Sequence, residues 1–233
     1  MRLIRAKNYD DMSLKAANII AAQVSLNPKS VLGLATGSTP IGTYRHLVEW
    51  YQKGELDFGK AVSINLDEYC GLSGEHPQSY RRFMQENLFD HISIKPENTI
   101  VPDGLAADIP AMCEAYERQI EDWGGVDIQL LGLGHDGHIG FNEPGSLLTS
   151  KTRMVYLNDI TINDAAGDFG GKDKVPTRAI TMGVGTIMKA KRIVLLAWGE
   201  KKASIIQETV EGSISDKVPA TFLQTHPNVQ FFI

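Results

Sequence analysis

Short apolar segments alternate along this chain with amphipathic segments that are long enough to form helices. The segments Val31–Ala35, Ala61–Leu66 and Asp127–Leu133 are almost wholly apolar, which is typical of strands buried on both faces. Two amphipathic segments, from Asp10 to about Asn27 and from Asp108 to about Trp123, each begin with an aspartate that can cap a helix. This alternation predicts an α/β fold, a three-layer αβα sandwich built on a Rossmann-like, mostly parallel sheet.

Further strands are expected near both ends of the chain and in its second half. They are Arg2–Lys7, Met154–Leu157, Arg178–Met182, Ile193–Trp198 and Val229–Ile233. One face of the first helix carries the apolar residues expected to pack on the sheet, which are Leu14, Ala17, Ala21 and Val24. Because no tandem repeat, low-complexity tract or long polar linker interrupts the pattern, we expect a single domain over residues 1–233.

The charge balance of the chain limits the kind of partner that it binds. Its 233 residues include 23 Lys and Arg against 28 Asp and Glu, which gives a formal net charge of -5. Such a balance argues against a nucleic-acid groove or a polybasic membrane surface. It is compatible with a small anionic substrate, which needs only a few local hydrogen-bond donors.

Cysteine content and apolar run lengths predict the compartment. Cys70 and Cys113 are too few for a disulfide framework in a chain of this length, which favours a reducing environment. The segment Met1–Lys7 lacks the apolar run of a signal peptide. No stretch approaches the roughly 18 apolar residues that a membrane span requires. We therefore expect a soluble cytoplasmic protein.

A hydroxyl-rich turn follows the first buried strand. Thr36, Gly37, Ser38 and Thr39 precede Pro40, which suits the first turn of a helix. The free N–H groups and the dipole of a helix N-terminus favour a bound phosphate. The turn lacks the Gly-Lys-Ser/Thr ending of a Walker loop, and an ordinary turn between a strand and a helix fits it equally well.

Two acidic residues, Asp67 and Glu68, follow the second buried strand. Most such pairs lie in a solvated loop, but an apolar strand places at least one of these carboxyl groups at the mouth of the sheet. Desolvation there raises the pKa of a carboxyl group toward the range of a general base. The pattern favours a functional role over a solvated loop.

The segment His135–Pro144 concentrates titratable groups. It contains two imidazoles, His135 and His138, and two carboxylates, Asp136 and Glu143. A histidine flanked by carboxylates suits a proton shuttle near neutral pH. A metal site is the competing interpretation, but the spacing of the histidines is not that of the H-E-x-x-H helix.

Two weaker features complete the candidate site. Lys202 follows the strand Ile193–Trp198 and lies near the N-terminus of a helix predicted over Lys201–Glu211, where its ammonium group could contact a phosphate. The glycine-rich, charged segment 159–174 is predicted to be either a mobile lid or an ordinary surface loop.

Three of these segments resemble motifs of a known family. Ala35–Pro40, Asn65–Tyr69 and Gly132–Pro144 are similar to motifs of the glucosamine-6-phosphate deaminases, also called isomerases, and the resemblance extends over nearly the whole chain. The first two motifs and Asp136-Gly137-His138 also occur loosely in 6-phosphogluconolactonases. The Asn-Glu-Pro of Phe141–Pro144 discriminates between the two, because lactonases typically lack it.

The resemblance implies an activity: glucosamine 6-phosphate and water become fructose 6-phosphate and ammonia, without a metal or an organic cofactor. It implies that His138, supported by Asp136 and Glu143, opens the sugar ring. It also implies that Asp67 transfers a proton from C2 to C1. The phosphate would then be held by the turn that begins at Thr36 and by Lys202.

Two departures from the family pattern bear on binding and regulation. Family members carry a lid arginine that reaches the phosphate, whereas Ala165–Phe169 has none, which leaves Lys172 or Lys174 as substitutes. Larger hexameric relatives are activated by N-acetylglucosamine 6-phosphate; this chain keeps Arg153 but has Val155 where they carry a lysine. We expect an unregulated enzyme of the short type, a monomer or a weak homo-oligomer.

Two other functions fit parts of the sequence. A 6-phosphogluconolactonase-like hydrolase would use the same sheet and would bind phosphate at the same turn, Thr36–Thr39. A sugar-phosphate sensor of a transcription regulator would need a DNA-binding module, for which Met1–Lys7 leaves no room before the first strand. A sensor also has no use for Asp67, His138 and Glu143 together.

Overall fold

A wholly parallel sheet of seven strands forms the centre of the molecule, and three more strands form a small antiparallel sheet beside it. The computed structural model describes residues 1–233. The strands are β1 (Arg2–Ile4), β2 (Val31–Leu34), β3 (Val62–Asn65), β4 (Asp67–Tyr69), β5 (Thr99–Ile100), β6 (Ile128–Gly132), β7 (Arg153–Tyr156), β8 (Arg178–Thr181), β9 (Arg192–Leu196) and β10 (Val229–Phe232). The helices are α1 (Tyr9–Leu26), α2 (Ile41–Gln52), α3 (Tyr80–Asn87), α4 (Ile109–Asp122), α5 (Asp159–Phe169), α6 (Val184–Ile187) and α7 (Ala203–Glu211).

The main sheet has the strand order β1-β10-β9-β6-β2-β3-β5, and its two faces are both covered. Successive residues of β9 contribute to different cores: Ile193 and Leu195 belong to one that includes residues of α4 and α7, while Val194 and Leu196 belong to one that includes residues of α1 and α2. Side chains of a strand point alternately to opposite faces. The expected three-layer αβα sandwich with a Rossmann-like sheet is therefore confirmed.

The first helix differs from its prediction in its cap and in one buried position. Asn8, rather than Asp10, caps α1, and its side chain accepts a hydrogen bond from the N–H of Asp11. Leu14 was expected on the packed face, but 36% of it is exposed, whereas Ala17 and Val24 are buried. The helix also buries Ser13, Ala16 and Ile20, each of which lies one position before a residue of the predicted face.

The predicted strands Met154–Leu157 and Arg178–Met182 exist, as β7 and β8, but outside the parallel sheet. They pair with each other and with β4 in antiparallel register, so that Asp67 lies opposite Thr181. The strand β4 at Asp67–Tyr69 is not predicted from the sequence, because two acidic residues after an apolar strand are more typical of a loop. The small sheet closes one side of the region beyond the ends of the parallel strands.

The predicted lid or loop, residues 159–174, is mostly helical. Asn158 caps α5 by accepting a hydrogen bond from the N–H of Thr161, and Gly170 ends the helix in the left-handed conformation with φ of 68°. The ring of Phe169 lies 5.3 Å from that of Tyr69 in an edge-on arrangement. We refer to α5 below as the lid helix; whether it moves stays a prediction.

Both cysteines, Cys70 and Cys113, are free and buried. No helix of the structure combines the length and the apolar character that crossing a membrane requires.

The carboxylate of Glu117 joins three elements, and its loss is expected to destabilise the fold. It is buried on α4 and accepts hydrogen bonds from the N–H and hydroxyl of Thr152, before β7, and from the hydroxyl of Thr186 in α6. We expect Glu117→Ala to lower the free energy of unfolding by about 2–4 kcal/mol, because the change leaves buried donors unpaired. Urea denaturation measures the change.

Glu114→Ala is the matched control on the same helix. Its side chain is 75% exposed and forms one ion pair, with Arg118 at 3.6 Å, so its loss should cost less than about 1 kcal/mol. Equal losses for the two variants would contradict the structural role of Glu117.

Candidate functional site

A cavity of about 280 Å³ lies beyond the carboxyl ends of β2, β3 and β6. Ligands of open parallel sheets bind in this position. The residues that line it are Ala35, Thr36, Gly37, Ser38, Thr39, Leu66, Asp67, Tyr80, Gly132, Leu133, Gly134, His135, His138, Gly140, Phe141, Asp164 and Lys202. The structure thus brings together the turn Thr36–Thr39, Asp67, both histidines of the His135–Pro144 segment and Lys202.

A larger cavity, of about 710 Å³, lies elsewhere, between α4 and the segment that leads into β7. Its lining includes Ile109, Cys113 and Met154 but none of the residues at the ends of the parallel strands. Volume alone therefore does not select the site, whereas the convergence of polar and titratable groups favours the smaller cavity.

The phosphate turn, Thr36–Thr39, presents unpaired donors to the cavity. None of its four backbone N–H groups makes a hydrogen bond within the chain, and α2 begins directly after Pro40 without a side-chain cap. The hydroxyl of Tyr9 donates to the carbonyls of Ser38 (3.0 Å) and Thr39 (3.1 Å) and accepts from the N–H of Gly42 (2.9 Å). Tyr9 thus fixes the turn, while the four N–H groups of the turn stay available to an anion.

Asp67 is 5% exposed, at the point where the chain passes from the parallel sheet into the small one. Burial, and secondly the charge of Glu68, raise the pKa of Asp67 well above its usual range. Gly140 makes room for this carboxyl group: its φ is 58°, and a Cβ built on it would lie 3.3 Å from Oδ2 of Asp67 and 3.0 Å from the hydroxyl of Thr181. The environment is that of a carboxylate that readily accepts a proton.

Glu68 does not line the cavity. Its carboxylate accepts hydrogen bonds from the N–H groups of Tyr69, Tyr80 and Arg81. Burial raises its pKa, and these backbone hydrogen bonds oppose that rise. Of the two adjacent acidic residues, Glu68 anchors the start of α3 and Asp67 faces the cavity.

Asp136 and His138 form a short, half-buried pair. Nδ1 of His138 lies 2.6 Å from Oδ1 of Asp136, which also accepts the backbone N–H of His138 at 3.2 Å. Burial raises the pKa of Asp136, but its hydrogen bond and ion pair with His138 outweigh burial and lower that pKa to about 2. The carboxylate therefore stays charged, holds a proton on Nδ1 and leaves Nε2 for exchange with a ligand. Gly134 permits this arrangement, since a Cβ there would lie 2.3 Å from the imidazole.

Glu143 makes no hydrogen bond or ion pair with His138 and does not line the cavity. Both of its carboxylate oxygens accept the N–H of Asn158, at 3.1 and 3.0 Å, and Oε1 accepts the hydroxyl of Thr161. The amide of Asn158 in turn donates to Oδ2 of Asp136 at 3.2 Å. Glu143 is therefore linked to the histidine pair only through the start of the lid helix.

Lys202 and the lid helix bring opposite charges to the cavity. Lys202 ends a short 3-10 turn, so that α7 begins at Ala203 and not at Lys201 as predicted, and its Nζ donates to the carbonyl of Leu133 at 2.8 Å. Burial lowers its pKa, and the charges of Asp164 and Asp136 oppose that effect. From the lid helix, Asp164 pairs with His135 at 3.0 Å. No three His, Cys, Asp or Glu side chains are arranged as a metal-ligand set.

Three residues of the site lie outside the set predicted from the sequence. Tyr80 lines the cavity, and Tyr9 and Asn158 hold the groups that surround it. Tyr9 lies 29 residues from Ser38, so no local pattern indicates their contact. Asn158 did have a local signal, because asparagine is a preferred N-cap residue and Asp159 follows it in the first turn, where acidic residues are favoured.

Known proteins are similar to this chain over nearly its whole length. The profile of the family described as glucosamine-6-phosphate isomerases/6-phosphogluconolactonase matches residues 6–231. The chain belongs to this family. Glucosamine-6-phosphate deaminase of Thermoanaerobacter pseudethanolicus is 52% identical over 233 residues, which cover 100% of this chain and 92% of that protein. Its counterpart in Lachnoclostridium phytofermentans is 54% identical over 229 residues, 98% of this chain and 97% of that protein.

Solved structures of the family separate into near and distant ones. A monomeric glucosamine-6-phosphate deaminase superimposes with a TM-score of 0.98 at 44% identity, covering 100% of this chain and 97% of that one. A 6-phosphogluconolactonase from Leishmania guyanensis gives 0.77 at 23% identity, covering 99% and 95%. The second likeness extends to the fold alone.

The burial of Asp67 predicts a pH-dependent stability. Between its unfolded pKa of about 3.9 and its raised folded pKa, the native state keeps a proton that the unfolded chain releases, so stability falls as pH rises through that window. Asp67→Asn removes this proton and keeps the shape. We expect the variant to gain in unfolding free energy over the wild type as pH rises from 5 to 8, measured by urea denaturation at both values. A difference that stays constant or shrinks would contradict the burial of a titrating carboxyl group.

Proposed function

We propose that this chain is a glucosamine-6-phosphate deaminase, which converts glucosamine 6-phosphate and water into fructose 6-phosphate and ammonia. The observation that carries the proposal is that one cavity is lined by three groups: the buried, proton-accepting carboxyl group of Asp67, an imidazole oriented by Asp136, and a turn with four free N–H groups. Identities of 52 and 54% to proteins of that name over nearly the whole chain support it.

The phosphate binds to the turn Thr36–Thr39 at the start of α2, with Lys202 as its cation. Unpaired N–H groups at a helix N-terminus favour negative charge. The ammonium group of Lys202 lines the same cavity, and one carbonyl contact leaves its other protons for the ligand. The predicted substitutes for a lid arginine do not line the cavity, and Lys172 pairs with Asp159 at 3.0 Å.

Ring opening is assigned to His138. Its Nδ1 proton is fixed by Asp136, so that Nε2 takes the proton of the anomeric hydroxyl and returns one to the ring oxygen. The C1–O5 bond breaks and an open-chain aldehyde forms. A histidine exchanges protons efficiently near neutral pH, which makes this step compatible with a cytoplasmic enzyme.

Isomerisation and deamination follow at Asp67. Its carboxylate takes the proton from C2 and returns a proton to C1, while O1 gains a proton and the amino nitrogen loses one. The 2-amino aldose thereby becomes an imine at C2 with a hydroxyl group at C1. Water adds to C2 and the C–N bond breaks to release ammonia. A single carboxylate serves adjacent carbons when it lies close to both on one face, and burial keeps it basic.

The biological setting follows from this chemistry. We place the chain in the cytoplasm as a hydrolase of amino-sugar metabolism that acts in N-acetylglucosamine catabolism. We further propose that residues 1–233 act as one domain and as a monomer without an allosteric effector. The guanidinium of Arg153 already donates to Asn142 and Ser146, at 2.9 and 3.1 Å, and the similar solved deaminase, at 44% identity, is described as monomeric.

An ammonia-release assay tests the reaction, with Asp67→Asn as the decisive variant. The wild type should release ammonia from glucosamine 6-phosphate. Asp67→Asn should lower kcat by at least about 10³-fold, because it removes the only group proposed to take the C2 proton, while substrate binding measured by calorimetry stays within a fewfold.

Glu114→Ala, at an exposed position of α4, is the matched control and should retain full activity. Hydrolysis of 6-phosphogluconolactone without ammonia release would favour the lactonase alternative. Unchanged turnover in Asp67→Asn would reject the assigned base.

Tyr9→Phe tests the phosphate turn. The change removes only the hydroxyl that holds Ser38, Thr39 and Gly42. We therefore expect KM for glucosamine 6-phosphate to rise about three- to tenfold with little change in kcat, which corresponds to about 1 kcal/mol of binding free energy. Tyr51→Phe, near the other end of α2, is the control. An unchanged KM in Tyr9→Phe would mean that the turn keeps its shape without this hydroxyl.

A further inference from the structure

The start of the lid helix is bound to two of the acidic groups around His138. Asn158 has its backbone N–H on both carboxylate oxygens of Glu143 and its side-chain amide on Oδ2 of Asp136 at 3.2 Å. Its side-chain oxygen accepts the N–H of Thr161 and so caps α5. One residue thus makes the helix cap and both carboxylate contacts.

The carboxylate of Asp136 is divided between two partners. Oδ1 accepts from Nδ1 of His138 at 2.6 Å, and Oδ2 accepts from Asn158. A carboxylate held at both oxygens has a fixed plane, and the plane of Asp136 sets the orientation of the imidazole. Groups that orient a functional histidine through its carboxylate commonly change activity when they are removed.

Capping alone does not require the contact with Asp136. Serine and aspartate cap helices about as well as asparagine, but a serine hydroxyl is shorter than the amide and an aspartate has no N–H to donate. The amide is the side chain that satisfies the cap with its oxygen and Asp136 with its nitrogen.

We propose that Asn158 is a positioning residue that couples the lid helix to the ring-opening pair Asp136–His138. The coupling rests on the proposed function. It means that a displacement of the lid helix withdraws a hydrogen bond from Asp136, so that the orientation of His138 is complete only with the helix in the position seen here.

Several other charged or titratable groups lie near Asp136 and His138 and contribute to the pH dependence of any activity that uses His138. Lys202, after β9, interacts electrostatically with both Asp136 and Asp164 of the lid helix. His135 is the sequence neighbour of Asp136. Asp67 faces the same cavity, and Glu143 lies behind Asn158. None of these groups changes in the variants below.

Asn158→Ser and Asn158→Asp separate the cap from the coupling. Both keep a cap, but the first removes the donor to Asp136 and the second places a carboxylate against Oδ2. We expect Asn158→Ser to lower kcat about tenfold at nearly unchanged KM. We expect Asn158→Asp to move the acidic limb of the kcat/KM profile to higher pH by about one unit, because a second carboxylate favours the protonated imidazole.

A histidine NMR titration reads the same coupling without substrate. The midpoint of the His138 titration should move to higher pH in Asn158→Asp, whether or not the wild type releases ammonia, which separates a failure of this inference from a failure of the proposed function. Asp108→Asn, which exchanges the same side chains at the cap of α4, should change neither the profile nor the midpoint.

The midpoint of thermal unfolding measures whether Asn158→Ser and Asn158→Asp keep the cap of α5, and we expect it to stay close to that of the wild type. Wild-type kcat in Asn158→Ser together with a wild-type His138 midpoint in Asn158→Asp would overturn the proposal and leave Asn158 as a helix cap only. A loss of kcat in Asn158→Ser that matches a loss of folded protein would also count against it.

Discussion

Parallel hydrogen bonding among β2, β3, β6 and β9 gives all four strands the same direction, and four groups of the site owe their positions to it. Each strand delivers the chain to the same edge, where a turn must change its direction. The phosphate turn, Asp67, the His138 loop and Lys202 are separated by up to 166 residues in sequence, yet each lies just beyond one of these strands. The apolar cores on both faces hold this register, because a strand that slipped by one residue would exchange its two faces.

The small sheet gives the site its second wall, and it explains why Asp67 is so deeply buried. Leu66 is the junction: its N–H donates to the carbonyl of Leu34 in the main sheet, and its carbonyl accepts the N–H of Met182 after β8. The next residue is held between the two sheets and is shielded from water. A carboxyl group in such a place costs stability when it is charged, and the same cost makes it a strong base. The geometry that buries Asp67 thus also raises its pKa.

Much of this arrangement could be predicted from the sequence, and the omissions have physical causes. Apolar strands and the cap at Asp108 carry strong local signals, and α4 begins where Asp108 predicts. The three residues of β4 carry no alternation that distinguishes a strand from a loop, and their strand character comes from pairing with β8, more than 100 residues away. The contact of Glu143 with Asn158, instead of with His138, depends on how the lid helix packs, which spacing along the chain does not encode.

The order of strands in the main sheet has a consequence for the time at which the protein folds. β1 is the first strand to be synthesised, but its neighbour in the sheet is β10, the last one, which itself lies between β1 and β9. On the ribosome β1 therefore has no partner until the final strand emerges, although β2, β3, β5 and β6 can already pair. Such distant pairings slow folding. The edge formed by β9 stays open to other chains during that interval, so a nascent chain of this protein is exposed to misassembly until β10 has paired with β9.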